Sequence, residues 1–286
     1  MQQLNNGEIM FLINNRFQFS KMNFLLSALL LLLSCSVISN AQQTERNFIG
    51  GSFGISGFNI KDEHSSPLIF GSIGIAPALQ YYYKGETSLH QFEAAYFEDY
   101  LTSQADNFNA NNKRGKVKYS YFYQVTDFSI FEKEIRFFLG GSLVTFLSHT
   151  EYYFYYAPKN SNGKGSESWY WSNSADISMQ LEYNPTERQF LAFQINIPVL
   201  SNVSRPKYSP SGDYNYTEND WKFRMFGKTE FFPENFSVNS QIVYQAPLAG
   251  DFNYQLNYEF YYSFYNRPQD VKMYMNNLRA GVFYCF

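Results

Sequence analysis

The chain has 286 residues, a formal net charge of −3 at pH 7, and 30 Phe, 25 Tyr and 3 Trp. This charge leaves no basic excess to attract nucleic acid, and two cysteines, Cys35 and Cys285, are too few for a cysteine metal cluster. A soluble core has no need of so many tyrosines, whereas a membrane barrel does, because Tyr and Trp suit the two membrane–water interfaces.

The first segment reads as a leader. Lys21 precedes an apolar run from Phe24 to Leu33, and Ser39-Asn40-Ala41 forms a small-residue site before Gln42. A basic residue, a short apolar core and such a site describe a secretory signal peptide. The run is too short to cross a bilayer as a helix, and no later stretch is long and apolar enough either. Residues 1–41 are expected to be an N-terminal extension and signal peptide, with Met10 or Met22 as alternative starts, and 42–286 a single barrel domain. Leu32-Leu33-Ser34-Cys35 offers a rival reading as a lipoprotein acylation site; the Ser39-Asn40-Ala41 site is preferred. Removal of the leader leaves Cys285 single, which excludes an intrachain disulfide.

Beyond the leader, hydrophobicity alternates with period two. Ten strands are expected, at about 46–59, 67–83, 88–102, 115–131, 135–152, 168–183, 188–202, 235–247, 250–264 and 274–286. In 117–125, Val117, Tyr119, Tyr121, Tyr123 and Val125 oppose Lys118, Ser120 and Gln124. The clearest run is 169–183. There Trp169, Trp171, Ala175, Ile177, Met179, Leu181 and Tyr183 share one face, and Ser172, Ser174, Asp176, Ser178, Gln180 and Glu182 the other. A helix would mix these faces, because its side chains repeat every 3.6 residues. Pro198 removes a ladder donor inside the seventh strand and predicts a bulge. In 252–264, Phe252, Tyr254, Leu256, Tyr258, Phe260, Tyr262 and Phe264 face away from Asn253, Gln255, Asn257 and Glu259.

The connections fall into two classes. Short turns are expected at Lys84-Gly85-Glu86-Thr87, Glu132-Lys133-Glu134, Asn184-Pro185-Thr186-Glu187 and Pro247-Leu248-Ala249-Gly250. Longer polar segments lie at 60–66, 103–114, 153–167, 203–234 and 265–273, and the Asn-rich stretch 106–112 reads as a polar loop. Short turns on one side and long loops on the other are the pattern of an outer-membrane barrel. Trp221, Phe223 and Met225 alternate weakly, and Phe231-Phe232-Pro233 breaks the pattern. An even strand number assigns 219–231 to a long fourth external loop or to an upward extension of the eighth strand. The expected fold class is all-β, a transmembrane antiparallel up-and-down β-barrel of about ten strands, with twelve as the alternative.

The chain ends on Leu278, Ala280, Val282, Tyr284 and Phe286, all on one strand face. A terminal Phe on such a strand resembles the C-terminal signal of bacterial outer-membrane β-barrels. The resemblance makes Leu278, Val282, Tyr284 and Phe286 an assembly signal, read by the barrel-assembly machinery as a transient partner. Asn40-Ala41-Gln42, Gly50-Gly51-Ser52-Phe53-Gly54, Tyr81-Tyr82-Tyr83, His90-Gln91-Phe92-Glu93 and the stretch from Ile197-Pro198-Val199-Leu200 to Arg205-Pro206 resemble small barrels of Bacteroidetes-type bacteria. So do the last two strands. That family is without an assigned activity. The resemblance implies the outer membrane of a Gram-negative bacterium, with its lipid as the chain's surroundings, and brings no cofactor.

Three constellations are candidates for function. Catalysis of the kinds found on such barrels needs a His base beside its partners. His64 falls in the first external loop, while His90 and His149 share outward faces at the two rims, so no activity is expected. Metal, phosphate-loop and dinucleotide motifs are missing, and Gly71-Ser72-Ile73-Gly74 opens no helix. The second constellation is the inward charge set: Glu93, Asp99, Lys116, Lys118, Arg136, Asp176, Glu182, Glu259 and Arg279. Mixed signs in a narrow lumen favour a mutually paired filling over a selective pore. The third is a group of external segments suited to sugars or partner proteins: Tyr152-Tyr153-Phe154-Tyr155-Tyr156, Ser161-Asn162-Gly163-Lys164-Gly165 and Arg205-Pro206-Lys207-Tyr208.

Overall fold

The computed structural model describes residues 46–105, 108–130, 133–154, 164–186, 189–206 and 227–286. The leader and the segment 219–226 lie outside these residues, as do Tyr155, Tyr156, Ser161-Asn162-Gly163, Lys207 and Tyr208. The strands are β1 (Arg46–Asp62), β2 (Ser66–Ile75), β3 (Ala78–Lys84), β4 (Ser88–Ser103), β5 (Phe108–Ile130) and β6 (Lys133–Phe154). They continue as β7 (Lys164–Thr186), β8 (Gln189–Ser204), β9 (Lys228–Phe231), β10 (Asn235–Ala249), β11 (Phe252–Tyr265) and β12 (Val271–Cys285).

All twelve belong to one antiparallel sheet, and most neighbour the next in chain order; β2 pairs with β1 and β4, β3 likewise, and β10 with β8 and β11. The first and last strands pair from Phe48↔Cys285 to Asp62↔Val271, which closes the sheet into a ring. Twelve strands fill ten stave positions. β2 and β3 share one stave between β1 and β4, interrupted where Pro77 supplies no N–H. β9 and β10 share another: β9 pairs the far half of β8 and β10 its near half. The upward extension expected of the eighth strand therefore exists over 228–231. Closure gives every stave two neighbours; among the described residues only the short β9 pairs on one side alone, with β8.

The expected bulge is present in β8. Asp176 pairs with Pro198 but Ala175 with Leu200, so Val199 is the extra residue. Facing then changes parity: Gln194 and Asn196 are buried before the bulge, Ser201 and Val203 after it. Gly250, at φ 54°, makes the tight turn from β10 to β11, a backbone conformation that glycine adopts without strain. A β-carbon at Gly54 would collide with the backbone of Leu278 and Arg279, so glycine there permits the close approach of β1 to β12.

Several strands run further than alternation suggested. The Asn-rich stretch is no loop from 108 onwards. Asn109, Asn111 and Asn112 lie in β5, paired on both sides by β4 and β6. Asn112 is fully buried and donates to Ser148 Oγ at 2.9 Å and Thr150 Oγ1 at 2.8 Å. Tyr152 and Tyr153 belong to β6 and not to an external loop.

The outer wall is apolar. Ile49, Phe53, Ile55, Leu79, Phe92, Val117, Leu139, Leu143, Ile177 and Val282 all project outward and exposed, as does the terminal Phe286. The inner face is buried. Along β7, Ile177 is 52% exposed and Ser178 is 0% exposed. Placing arginine at 177 should therefore cost about 2–4 kcal/mol, the depth-dependent penalty for a charge facing lipid. Ser178→Ala should cost only about 1 kcal/mol, one hydrogen bond to Ser142. Urea unfolding in lipid vesicles measures both, and equal costs would contradict the facing.

Candidate functional site

Among the described residues, charged and polar side chains from many staves meet in the lumen, which is layered. At the end where β1 begins and β12 finishes, Phe48, Tyr82 and Phe283 pack together. Beside them Lys84 Nζ lies 2.5 Å from Glu182 Oε1, linking β3 to β7 across the interior. Gln91 donates to Gln180 at 2.9 Å in the same sense, from β4 to β7.

The middle layer is ionic. Glu93 of β4 and Glu259 of β11 stand between Lys116 of β5 and Arg279 of β12. Lys116 Nζ is 2.6 Å from Glu93 Oε1 and also pairs with Glu259. Arg279 Nη2 is 3.2 Å from Glu93 and 3.3 Å from Glu259. Gln80 donates to Glu93 at 2.8 Å, and Asn239 and Asn277 donate to Glu259 at 2.6 and 3.0 Å. Lys118 donates to Gln241 Oε1 at 3.1 Å. Each carboxylate thus serves two cations, which is how buried charges are tolerated.

Above it lies a single buried ion pair in apolar surroundings. Arg114 pairs with Asp99, and its guanidinium carbon is 3.7 Å from the centre of the Phe58 ring and 4.9 Å from that of Phe97. Ser72 donates to Asp99 at 3.3 Å. The next layer is a hydrophobic plug that includes Ile60, Phe70, Leu101, Tyr152, Tyr170 and Met273. The rings of Phe70 and Tyr152 meet edge-on at 5.0 Å. At the far mouth, Asp62 accepts from Ser168 and Arg205, each at 2.6 Å. Arg205 also donates to the carbonyl of Gln269 at 2.6 Å and to that of Arg267 at 3.0 Å, so it fastens the connection between β11 and β12.

Of the nine charges expected inward, Glu93, Asp99, Lys116, Lys118, Glu182, Glu259 and Arg279 are buried in the lumen. Arg279 meets Glu93 and Glu259 together. Arg136 is part-exposed near the end where β5 gives way to β6, with Asp127 and Glu182 as cross-strand neighbours. Asp176 borders a cavity of ≈ 30 Å³ lined also by Lys118, Asn196, Ser237, Asn239 and Tyr261. That volume holds little more than ordered water. Sequence reasoning missed Arg114, Lys84 and the apolar plug. His90 and His149 do lie on the outer wall, where His90 Nδ1 is 2.9 Å from the Tyr119 hydroxyl and His149 Nε2 2.6 Å from Glu167. His64 follows β1 in the first turn, its backbone N–H donating to Asp62.

No family model and no curated protein matches the chain. Among solved structures it is similar to outer membrane protease OmpT from Escherichia coli, at 8% identity over 88% of this chain and 99% of that one, with a TM-score of 0.44. It is similar to the translocator domain of autotransporter NalP from Neisseria meningitidis, at 9% identity over 86% and 90%, TM-score 0.43. It is also similar to Ail, the attachment invasion locus protein of Yersinia pestis, at 11% identity over 86% and 100%, TM-score 0.34. A protease, a translocator domain and an attachment protein do not share a role, and fold alone selects none of them.

Proposed function

We propose that the chain is an integral outer-membrane barrel with a structural or surface-interaction role, without catalytic activity, its lumen closed by its own side chains. The apolar outer wall suits lipid, and pairing of β1 with β12 closes the ring in place of two open edges. The observation that carries the reading is the central ionic layer. Lys116, Glu93, Glu259 and Arg279 join four staves across the lumen, and the apolar plug caps them. Charges that neutralise one another at contact distance give a permeating ion neither a path nor a preferred sign. In this reading the long connections face outside the cell, Phe286 ends the signal read by the assembly machinery, and the lineage is Bacteroidetes-type.

Planar-bilayer recording of the purified barrel tests the closed lumen. The expected trace has no steady conductance step. A reproducible, ion-selective step from the wild type would replace this reading with that of a narrow passive channel.

A further inference from the structure

Outside the lumen, three metal-ligand side chains converge on the outer wall near the far end. His149 and Glu151 are two residues apart on β6 and so share one face of that strand. Glu167 of β7 is the direct cross-strand partner of Glu151. One ligand atom from each residue lies within 4.8 Å of the other two. All three side chains are part-exposed, so an ion can reach them. Tyr153 donates to Glu151 Oε2 at 3.0 Å, which aims that carboxylate.

Like charges directly opposite on neighbouring strands destabilise a sheet, and Glu151 and Glu167 are such a pair. A protonated His149 brings one positive charge to two carboxylates, whereas a divalent ion brings two. One imidazole nitrogen with two carboxylate oxygens suits zinc-type ions; magnesium and calcium prefer shells of oxygen alone. We propose that His149, Glu151 and Glu167 bind a zinc-class divalent cation, with water in the fourth position. Bonds of about 2.0–2.2 Å place tetrahedral ligand atoms roughly 3.4 Å apart. His149 Nε2 and Glu167 Oε1, now 2.6 Å apart, part to admit the ion while the Glu151 carboxylate closes on it, and the torsions of these part-exposed side chains supply both shifts. The bound ion would clamp β6 to β7 at the far end of their hairpin. No linear motif announces it, because His-x-Glu on one strand is completed from the next.

The test uses the full folded chain in detergent, stripped with EDTA and titrated calorimetrically with zinc chloride and, separately, with magnesium chloride. A single zinc per chain is expected, undisturbed by magnesium. Losing even an outer-shell partner of a metal ligand costs about 10–100-fold in affinity, so Glu167→Gln and His149→Ala should each weaken zinc binding by at least that much. Gel mobility before and after heating reports that both variants are folded. A wild type that takes up no zinc, or a titration unchanged in both folded variants, overturns the proposal.

Discussion

Glu259→Ala is expected to be among the most damaging single substitutions in the lumen. Glu259 is wholly buried and accepts from Lys116, Asn239, Asn277 and Arg279, which come from three different strands besides its own. Alanine leaves Lys116 and Arg279 to share Glu93 alone, with Lys118 nearby as a further positive charge. Breaking a buried ion pair by deleting one partner costs roughly 3–5 kcal/mol, because the remaining charge stays buried without compensation. Glu259→Gln keeps an acceptor and should cost less. Arg136→Ala should cost about 0–1 kcal/mol, because Arg136 is part-exposed and its buried neighbour Glu182 keeps Lys84 as a partner. Urea unfolding of the refolded barrel in vesicles, read by tryptophan fluorescence, ranks the three. If Glu259→Ala proved no worse than Arg136→Ala, the central layer would not hold the barrel together.

Facing was legible in the sequence because alternation is a local property of the strand. Ile177 outward and Ser178 inward follow from period two alone, and the bulge beside Pro198 follows from the proline's missing donor, which acts where it stands. Strand ends were less legible. Asparagine is depleted in strands, so the stretch before Lys113 reads as a loop. In the barrel β4 and β6 continue alongside it, satisfy its backbone, and give Asn112 side-chain partners. Starting that strand at 115 left Arg114 outside the inward set, although Arg114, Lys116 and Lys118 share one parity.

The apolar plug was hidden for a related reason. Parts of the far half carry apolar residues on both faces, as with Tyr96 outward beside Phe97 inward, and Tyr100 beside Leu101. Two apolar faces carry no parity signal, so a polar interior was expected throughout. Pairing was the least legible property. Alternation says that Arg279 and Glu93 point inward, but they are 186 residues apart in the chain. Only closure of the ring sets them opposite each other. The same limit applies to His149 and Glu167, which meet because two long strands pair in register.

The second large effect concerns Arg114 and Asp99, whose ion pair differs from the central layer in its surroundings. Arg114 is 1% exposed and stacks between Phe58 and Phe97, with Met275 also in contact. Arg114→Met leaves Asp99 charged or forced to protonate in an apolar layer, and Asp99→Leu strands the guanidinium in the same way. Each single change should cost about 3–5 kcal/mol. The double variant Arg114→Met/Asp99→Leu has no unpaired charge and adds two side chains compatible with the plug. Replacing a buried pair by well-packed hydrophobes is often neutral or stabilising by about 1–4 kcal/mol. The double variant should therefore recover most or all of the loss, giving a coupling energy much larger than the usual additivity error of about 0.3–0.5 kcal/mol. For the central layer no such rescue is expected, because Glu259 serves Lys116 and Arg279 at once and no single second substitution removes both charges. If the costs of Arg114→Met and Asp99→Leu simply added in the double variant, the two side chains would not be acting as a pair.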